Sequence, residues 1–162
     1  MDATKSKKKG NTFENKMAKE LGKWIFSDMH MLCRHSTSGA IKTVWQGDIV
    51  PQKQLPIEWK NWPFYIECKS GYSNQTCTLN NQNIVRLWID KCIKDLGEHQ
   101  SKIILLLVNF KSYSTLLITE FKLNNIEPML ILIHNSRYYR IYEFKEVVKL
   151  DFLESFGWKI NE

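Results

Sequence analysis

Phe64-Tyr65-Ile66-Glu67-Cys68-Lys69-Ser70-Gly71 is the stretch on which the reading of this chain turns. Its aromatic and β-branched residues suit a buried strand, yet it carries two opposite charges. Successive side chains of a strand point to opposite faces, so Phe64, Ile66 and Cys68 share an apolar side while Tyr65, Glu67 and Lys69 line the other. A carboxylate and an ammonium therefore stand side by side. An ion pair on a half-exposed sheet accounts for them, and Glu-x-Lys alone is too common a triplet to say more.

Two further acids lie upstream. Gly47-Asp48-Ile49-Val50-Pro51 sets Asp48 at the mouth of a second short apolar run, and Glu14 stands near the chain start. Gathering Asp48, Glu67 and Glu14 around one point makes a strongly anionic pocket, which a fold tolerates only if a cation neutralises it. All-oxygen ligands favour a hard divalent ion such as Mg2+. A second Glu-x-Lys, Glu58-Trp59-Lys60, also follows Asp48. It lies between Pro56 and Pro63 with no run of strand formers, whereas Glu67 sits where a sheet can hold a ligand in place. Glu67 and Lys69 are therefore the better pair.

The 162 residues, 43% of them hydrophobic and six of them Trp, suit one domain with a real core over residues 11–162, preceded by a basic tail over 1–10. No apolar run approaches the ~18 residues of a membrane span, and Met1-Asp2-Ala3-Thr4-Lys5 lacks the apolar stretch of a signal peptide. An intracellular protein without membrane association is expected. Cys33, Cys68, Cys77 and Cys92 show no Cys-x-x-Cys spacing, which speaks against zinc and against a disulfide framework. His30, His35, His99 and His134 have no spacing that suggests a zinc site or a nucleophilic triad. The net charge of +6 and pI near 9.1 point towards a polyanionic partner. Lys5, Lys7, Lys8 and Lys9 cluster ahead of the first expected helix, either as phosphate contacts that release counterions or as a solvated tail.

Asn11 to about Met31 reads as a helix with Asn11 as N-cap, Glu14 completing a capping box, and Phe13, Met17, Leu21, Trp24 and Ile25 as its apolar stripe. By local geometry alone, the cap explains Glu14 without any chemistry. Leu32 to His35 reads as a short strand, Ser36 to Ala40 as a loop of small polar residues, and Asp48 to Val50 as a strand ended by Pro51. The loop Gln52 to Pro63 reads as the rim of a site, where Trp59 and Trp62 either pack into the core, as Trp more often does, or stand exposed as stacking surfaces. A helix capped near Asn80 or Asn81 carries Val85, Trp88, Ile89, Cys92 and Leu96 and stops at Gly97. Ile103 to Val108 is a continuous apolar run, the mark of a strand buried on both faces. Leu116 to Thr119, Met129 to His134 and Tyr138 to Phe144 read as strands, the last two joined by a turn at Asn135-Ser136-Arg137, and Lys145 to Phe156 as a helix. The fold class is α/β, a mixed central sheet flanked by helices.

In order and flanks, Gly10-x-x-Phe13-Glu14, Arg34-x-Ser36-x-Ser38-Gly39, Gly47-Asp48 and Ile66-Glu67-Cys68-Lys69-Ser70 resemble the PD-(D/E)xK nuclease superfamily, most closely its archaeal and phage Holliday junction resolvases. The matching residues span roughly the first half of the chain. This resemblance implies a restriction-endonuclease-like core that hydrolyses phosphodiester bonds of branched DNA in recombination and repair, with Mg2+ as cofactor and Mn2+ as a substitute. It implies a catalytic set of Glu14, Asp48, Glu67 and Lys69. Asp48 and Glu67 would bind the metal directly, the Cys68 carbonyl would add a ligand, and Glu14 would act through water or a second ion. Neighbouring carboxylates favour the charged form of Lys69, which suits it to orienting a water and stabilising charge more than to acting as general base. Lys7, Lys8, Lys9, Arg34, Ser36 and Ser38 would meet DNA phosphates, although loop solubility explains the serines equally well. Two symmetric cuts in a junction imply a C2 homodimer, with its surface among Leu130 to Ile133, Tyr138 to Tyr142 and Phe152 to Trp158, where extra core packing explains the same residues. A restriction- or repair-type endonuclease with the same core, and a nuclease-like DNA-binding module without activity, stay open because the motif specifies chemistry and not substrate.

Overall fold

The computed structural model describes residues 3–35, 46–52, 54–56, 59, 61–70, 82–97, 101–110 and 114–158, with side chains from Lys8 onward. Ser36, Ser38, the Glu58 and Lys60 of the second Glu-x-Lys, and the expected caps Asn80 and Asn81 lie outside the described residues, as does the side chain of Lys7.

Along the chain run α1 (Ala3–Phe26), β1 (Leu32–Arg34), β2 (Ile49–Pro51), β3 (Phe64–Ser70), α2 (Gln82–Leu96), β4 (Ile103–Asn109), β5 (Leu116–Thr119), β6 (Leu130–His134), β7 (Arg137–Glu143), α3 (Phe144–Val147) and α4 (Phe152–Phe156). β3, β4, β5, β7 and β6 lie in that spatial order in one sheet. β3 and β4 are parallel, joined through α2 as parallel neighbours must be by a crossover, and the other pairings are antiparallel. The expected mixed sheet between helices is the fold found.

Strand alternation divides the interior into two cores. Phe64, Ile66 and Cys68 of β3, Leu105 and Leu107 of β4, Leu117 of β5 and Tyr142 of β7 pack with Phe13, Met17 and Leu21 of α1 and with α3 and α4. Tyr65, Ile104, Leu106, Val108, Leu116, Ile118, Tyr139 and Ile141 face the other way, onto Val85, Trp88, Ile89, Cys92 and Leu96 of α2. Those five α2 residues are the stripe read from the sequence, and Gly97, at φ +52°, ends the helix. β4 reads as an unbroken apolar run because both its faces are covered.

α1 begins at Ala3, so Asn11 is an interior residue and no capping box forms at Glu14. Lysine is a good helix former, and the single Gly10 costs only about 1 kcal/mol, so the Lys-rich run joins the helix. The helix ends at Phe26, earlier than expected, where Ser27 turns to φ +57°. The expected C-terminal helix is two short ones. Asp151 interrupts it by accepting the Glu154 N–H at 2.9 Å, which caps α4. Trp62 is only 2% exposed, and the partly buried Trp59 packs on Phe26, Phe152 and Trp158, so neither stands at an open rim. Among the described residues no helix is long and apolar enough to cross a membrane.

Candidate active site

β3 is an edge strand of the large sheet, and the chain before β2 is laid along its free side. Gly47 bridges Ile66, and the Asp48 N–H donates to the Ile66 carbonyl at 2.7 Å. Gly47 has φ +107°, and a Cβ there would lie 2.6 Å from the Ile66 carbonyl oxygen, so both backbone conformation and space demand glycine. On its other side the Asp48 carbonyl accepts the His35 N–H at 2.7 Å, and His35 Nδ1 lies 3.1 Å from the Gly47 carbonyl. Asp48 is thus gripped through its backbone by β3 and by the residue that follows β1.

Its side chain turns onto the same strand, where Asp48 Oδ2 accepts the Cys68 N–H at 2.8 Å. No other hydrogen bond to this carboxylate forms among the described residues. Burial, then the nearby Glu67 charge and less strongly that of Glu14, push Asp48 up to about 6 against the opposing Cys68 N–H and Lys69. In an extended strand the N–H and C=O of one residue share an edge, so the Cys68 carbonyl opens on the side where Asp48 lies. Burial holds the Cys68 thiol well above its ordinary value, which leaves the carbonyl as this residue's useful donor.

Glu67 is 3% exposed, and its carboxylate is fully partnered. Oε1 accepts from Lys69 Nζ and, at 2.9 Å, from Lys91 Nζ on α2. Tyr65 OH lies 3.3 Å from Oε2 and equally far from Asp95 Oδ2, and Lys91 Nζ donates to the same Asp95 oxygen at 2.8 Å. Burial works to raise Glu67, but the hydrogen bonds and charges of Lys69 and Lys91 outweigh it and hold the group below the ordinary carboxylate range. Glu67 and Asp48 are therefore driven apart: one is held below the ordinary carboxylate range, the other is pushed up to about 6. The hydrogen bond from Lys91 likewise lowers Asp95.

Glu14 comes to this edge from α1, close enough to act on Asp48 electrostatically. Among the described residues its counter-ion is Arg34 of β1, with Nη1 3.7 Å from Oε2. Arg34 also donates to Asn11 at 3.4 Å, so Asn11 steadies the guanidinium that faces Glu14. Among the described residues no three acids, His or Cys close on one point, so the expected gathering of Asp48, Glu67 and Glu14 is looser than a three-carboxylate cage. The oxygen donors still fit a hard cation. Two carboxylates whose charges oppose each other, one of them with an oxygen that no described residue hydrogen-bonds, and a strand carbonyl suit an ion that keeps much of its own water, as Mg2+ does.

Lys8 and Lys9 are exposed on α1, six and five residues before Glu14 and so about 8 Å away along the helix axis. Lys91, Asp95 and the Tyr65 hydroxyl are functional candidates that the sequence reading passed over. A signal for them exists, in Lys91 and Asp95 at i, i+4 on the polar side of α2 and Tyr65 two residues before Glu67. Nothing in the sequence says that α2 lies against that face of β3.

Over residues 5–157 the chain matches the family described as "phage putative PDDEXK endonuclease". No curated protein and no solved structure matches it. The family match reaches from the Lys-rich start of α1 through α4, taking in every element that builds the edge around Asp48 and Glu67, and the chain is accordingly a member of the phage PDDEXK endonuclease family.

Proposed function

We infer that the protein is a Mg2+-dependent, structure-selective DNA endonuclease that resolves four-way junctions, as a Holliday junction resolvase does in recombination and repair. The observation that carries the nuclease reading is the convergence on one free strand edge of Asp48, tied to the Cys68 N–H, with the Glu67–Lys69 pair one residue to either side. The family supports the chemistry, and the resemblance in motif order and flanks supports the junction as substrate.

Asp48 and Glu67, with the Cys68 carbonyl, would hold the divalent ion. When bound, that ion supplies an acidified water and a positive charge at the scissile phosphate. Lys69, anchored on Glu67 and 13% exposed, is placed to orient the attacking water and to offset charge on the phosphoryl oxygens. Glu14, braced by Arg34, keeps negative potential over the same edge and favours cation binding there. Lys8 and Lys9 on the exposed side of α1 would meet the DNA backbone, with Lys7, Arg34, Ser36 and Ser38 as further phosphate contacts.

The test is incubation with Mg2+, or Mn2+ in its place, and labelled four-way junction, flap, linear duplex and single strand. Paired nicks at symmetry-related positions of the junction are expected, with no cleavage in chelator. Asp48→Asn, Glu67→Gln and Lys69→Met should each lose cleavage by a factor of about 100 or more while still binding the junction, because phosphate contacts supply most of the affinity. Preferential cleavage of linear duplex would replace the junction by a restriction- or repair-type substrate. Binding to junctions without cleavage of any substrate would reduce the protein to a DNA-binding module.

A further inference from the structure

Glu67 Oε1 is shared by two ammonium groups, and only one of them belongs to the Glu-x-Lys signature. Lys69 comes from the same strand, and Lys91 reaches in from α2, 2.9 Å away. They are held differently. The Lys69 side chain is 13% exposed, whereas that of Lys91 is 51% exposed and has a second carboxylate, Asp95, one helical turn further on at 2.8 Å.

A carboxylate oxygen offers two lone-pair directions, and the two lysines occupy both on Oε1. A divalent cation can use that oxygen only if one ammonium leaves it. An ammonium kept about 4 Å from a dication meets a strong repulsion that a largely buried site screens poorly. Lys91 is the group able to move, being the more exposed and already bonded to Asp95. Charge points the same way. Glu67, Lys69, Lys91 and Asp95 cancel, and Asp48 leaves the set one unit negative. Adding a divalent ion makes it one unit positive, which leaves these five groups one anion short of neutrality. A phosphodiester supplies that anion.

Building on the nuclease reading, we propose that Lys91 is an exchangeable counter-ion: it occupies Glu67 until a divalent ion claims the carboxylate, and it then binds a phosphate of the DNA at the site. This makes DNA affinity and ion affinity depend on each other through one side chain.

The experiment uses the full chain with Lys91→Met, Lys91→Arg and Asp95→Asn. Mn2+ affinity is titrated calorimetrically without DNA, and the KM and kcat for a labelled four-way junction are measured separately. Lys91→Met removes the competitor, so Mn2+ should bind at least about threefold more tightly, while the KM for DNA rises by about tenfold. Lys91→Arg should restore the KM. Asp95→Asn leaves Lys91 with Glu67 as its one anion among the described residues, so Mn2+ should bind more weakly than to wild type, a change opposite in sign to that of Lys91→Met. A merely structural Lys91 would not tighten ion binding. Mn2+ affinity unchanged or weakened by Lys91→Met, or a KM that does not move, would overturn the proposal. If the wild type binds Mn2+ but cuts no nucleic acid, the nuclease reading fails by itself, and the opposite Mn2+ shifts of the two variants still decide the exchange.

Discussion

Asp48 and Glu67 are both carboxylates within reach of Lys69, yet their surroundings send them in opposite directions. Burial and two neighbouring acids push Asp48 up to about 6, whereas two ammonium groups hold Glu67 low. A carboxylate raised in the folded state contributes stability below its unfolded value, 3.8, and loses it as pH climbs through about 6. In chelator, therefore, ionising Asp48 should destabilise the wild type between about pH 4 and pH 6.5, by no more than roughly 2–3 kcal/mol. Asp48→Asn keeps an oxygen for the Cys68 N–H and removes the titration. Thermal denaturation across that range should show the variant gaining on the wild type as pH rises. Parallel curves would mean that Asp48 ionises freely in the fold.

At the scale of elements, the position of Asp48 depends on how the chain before β2 meets β3. Gly47 is the contact point, with a positive φ and the Ile66 carbonyl where a side chain would begin. Gly47→Ala should cost about 2 kcal/mol or more, through backbone strain and a forced shift of the bridge, and should reduce cleavage beyond what the lost stability explains. Chemical denaturation together with activity well below the midpoint separates the two effects. α1 makes a second demand, since its Lys-rich first turns are continuous with the segment that carries Glu14. Replacing both Lys8 and Lys9 by Ala should weaken junction binding and flatten the slope of log K against log salt by about 2. An unchanged slope would remove α1 from the DNA surface.

The whole molecule covers both faces of its sheet with helices but leaves β6 bare at one end. Ile131 and Ile133 on β6 are about half exposed, and so are Met129 before the strand and Tyr138, which pairs with Ile133 across the hairpin. Ile131, Ile133 and Tyr138 therefore share one face beyond the reach of α3 and α4. By contrast Tyr139, Ile141, Tyr142, Phe152 and Phe156, from the other segments expected at an interface, are core residues. If the protein is the C2 dimer that two symmetric cuts call for, this patch is where the copies should meet. Molar mass in solution should be that of a dimer, and Ile131→Lys with Ile133→Lys should halve it and leave nicking of one strand without its partner nick. A wild-type monomer, alone and on junction DNA, would sink the resolvase assignment and leave the nuclease core standing.

The alternation in Phe64 to Ser70, the unbroken apolar run of β4 and the five-residue stripe of α2 are local periodicities, which is why the sequence by itself determined the α/β class, the strand bearing Glu67 and Lys69, and the covering role of α2. Asp48 was legible too, because a Gly-Asp before a short apolar run is a local feature. Where α1 starts was not, because helix propensity along a lysine run competes closely with an Asn cap, and the two differ by about 1 kcal/mol. Asp151 likewise ended one helix and began another through a side-chain hydrogen bond that periodicity does not register. Only the tertiary structure decided which cations answer Glu67, since Lys91 lies 24 residues away and meets it through the crossover of α2 over β3. Only it decided that Glu14 answers to Arg34, and that neither Trp59 nor Trp62 stands at an open rim. Each of these is a contact between elements, set by how faces pack, and spacing along a chain carries no record of which faces will meet.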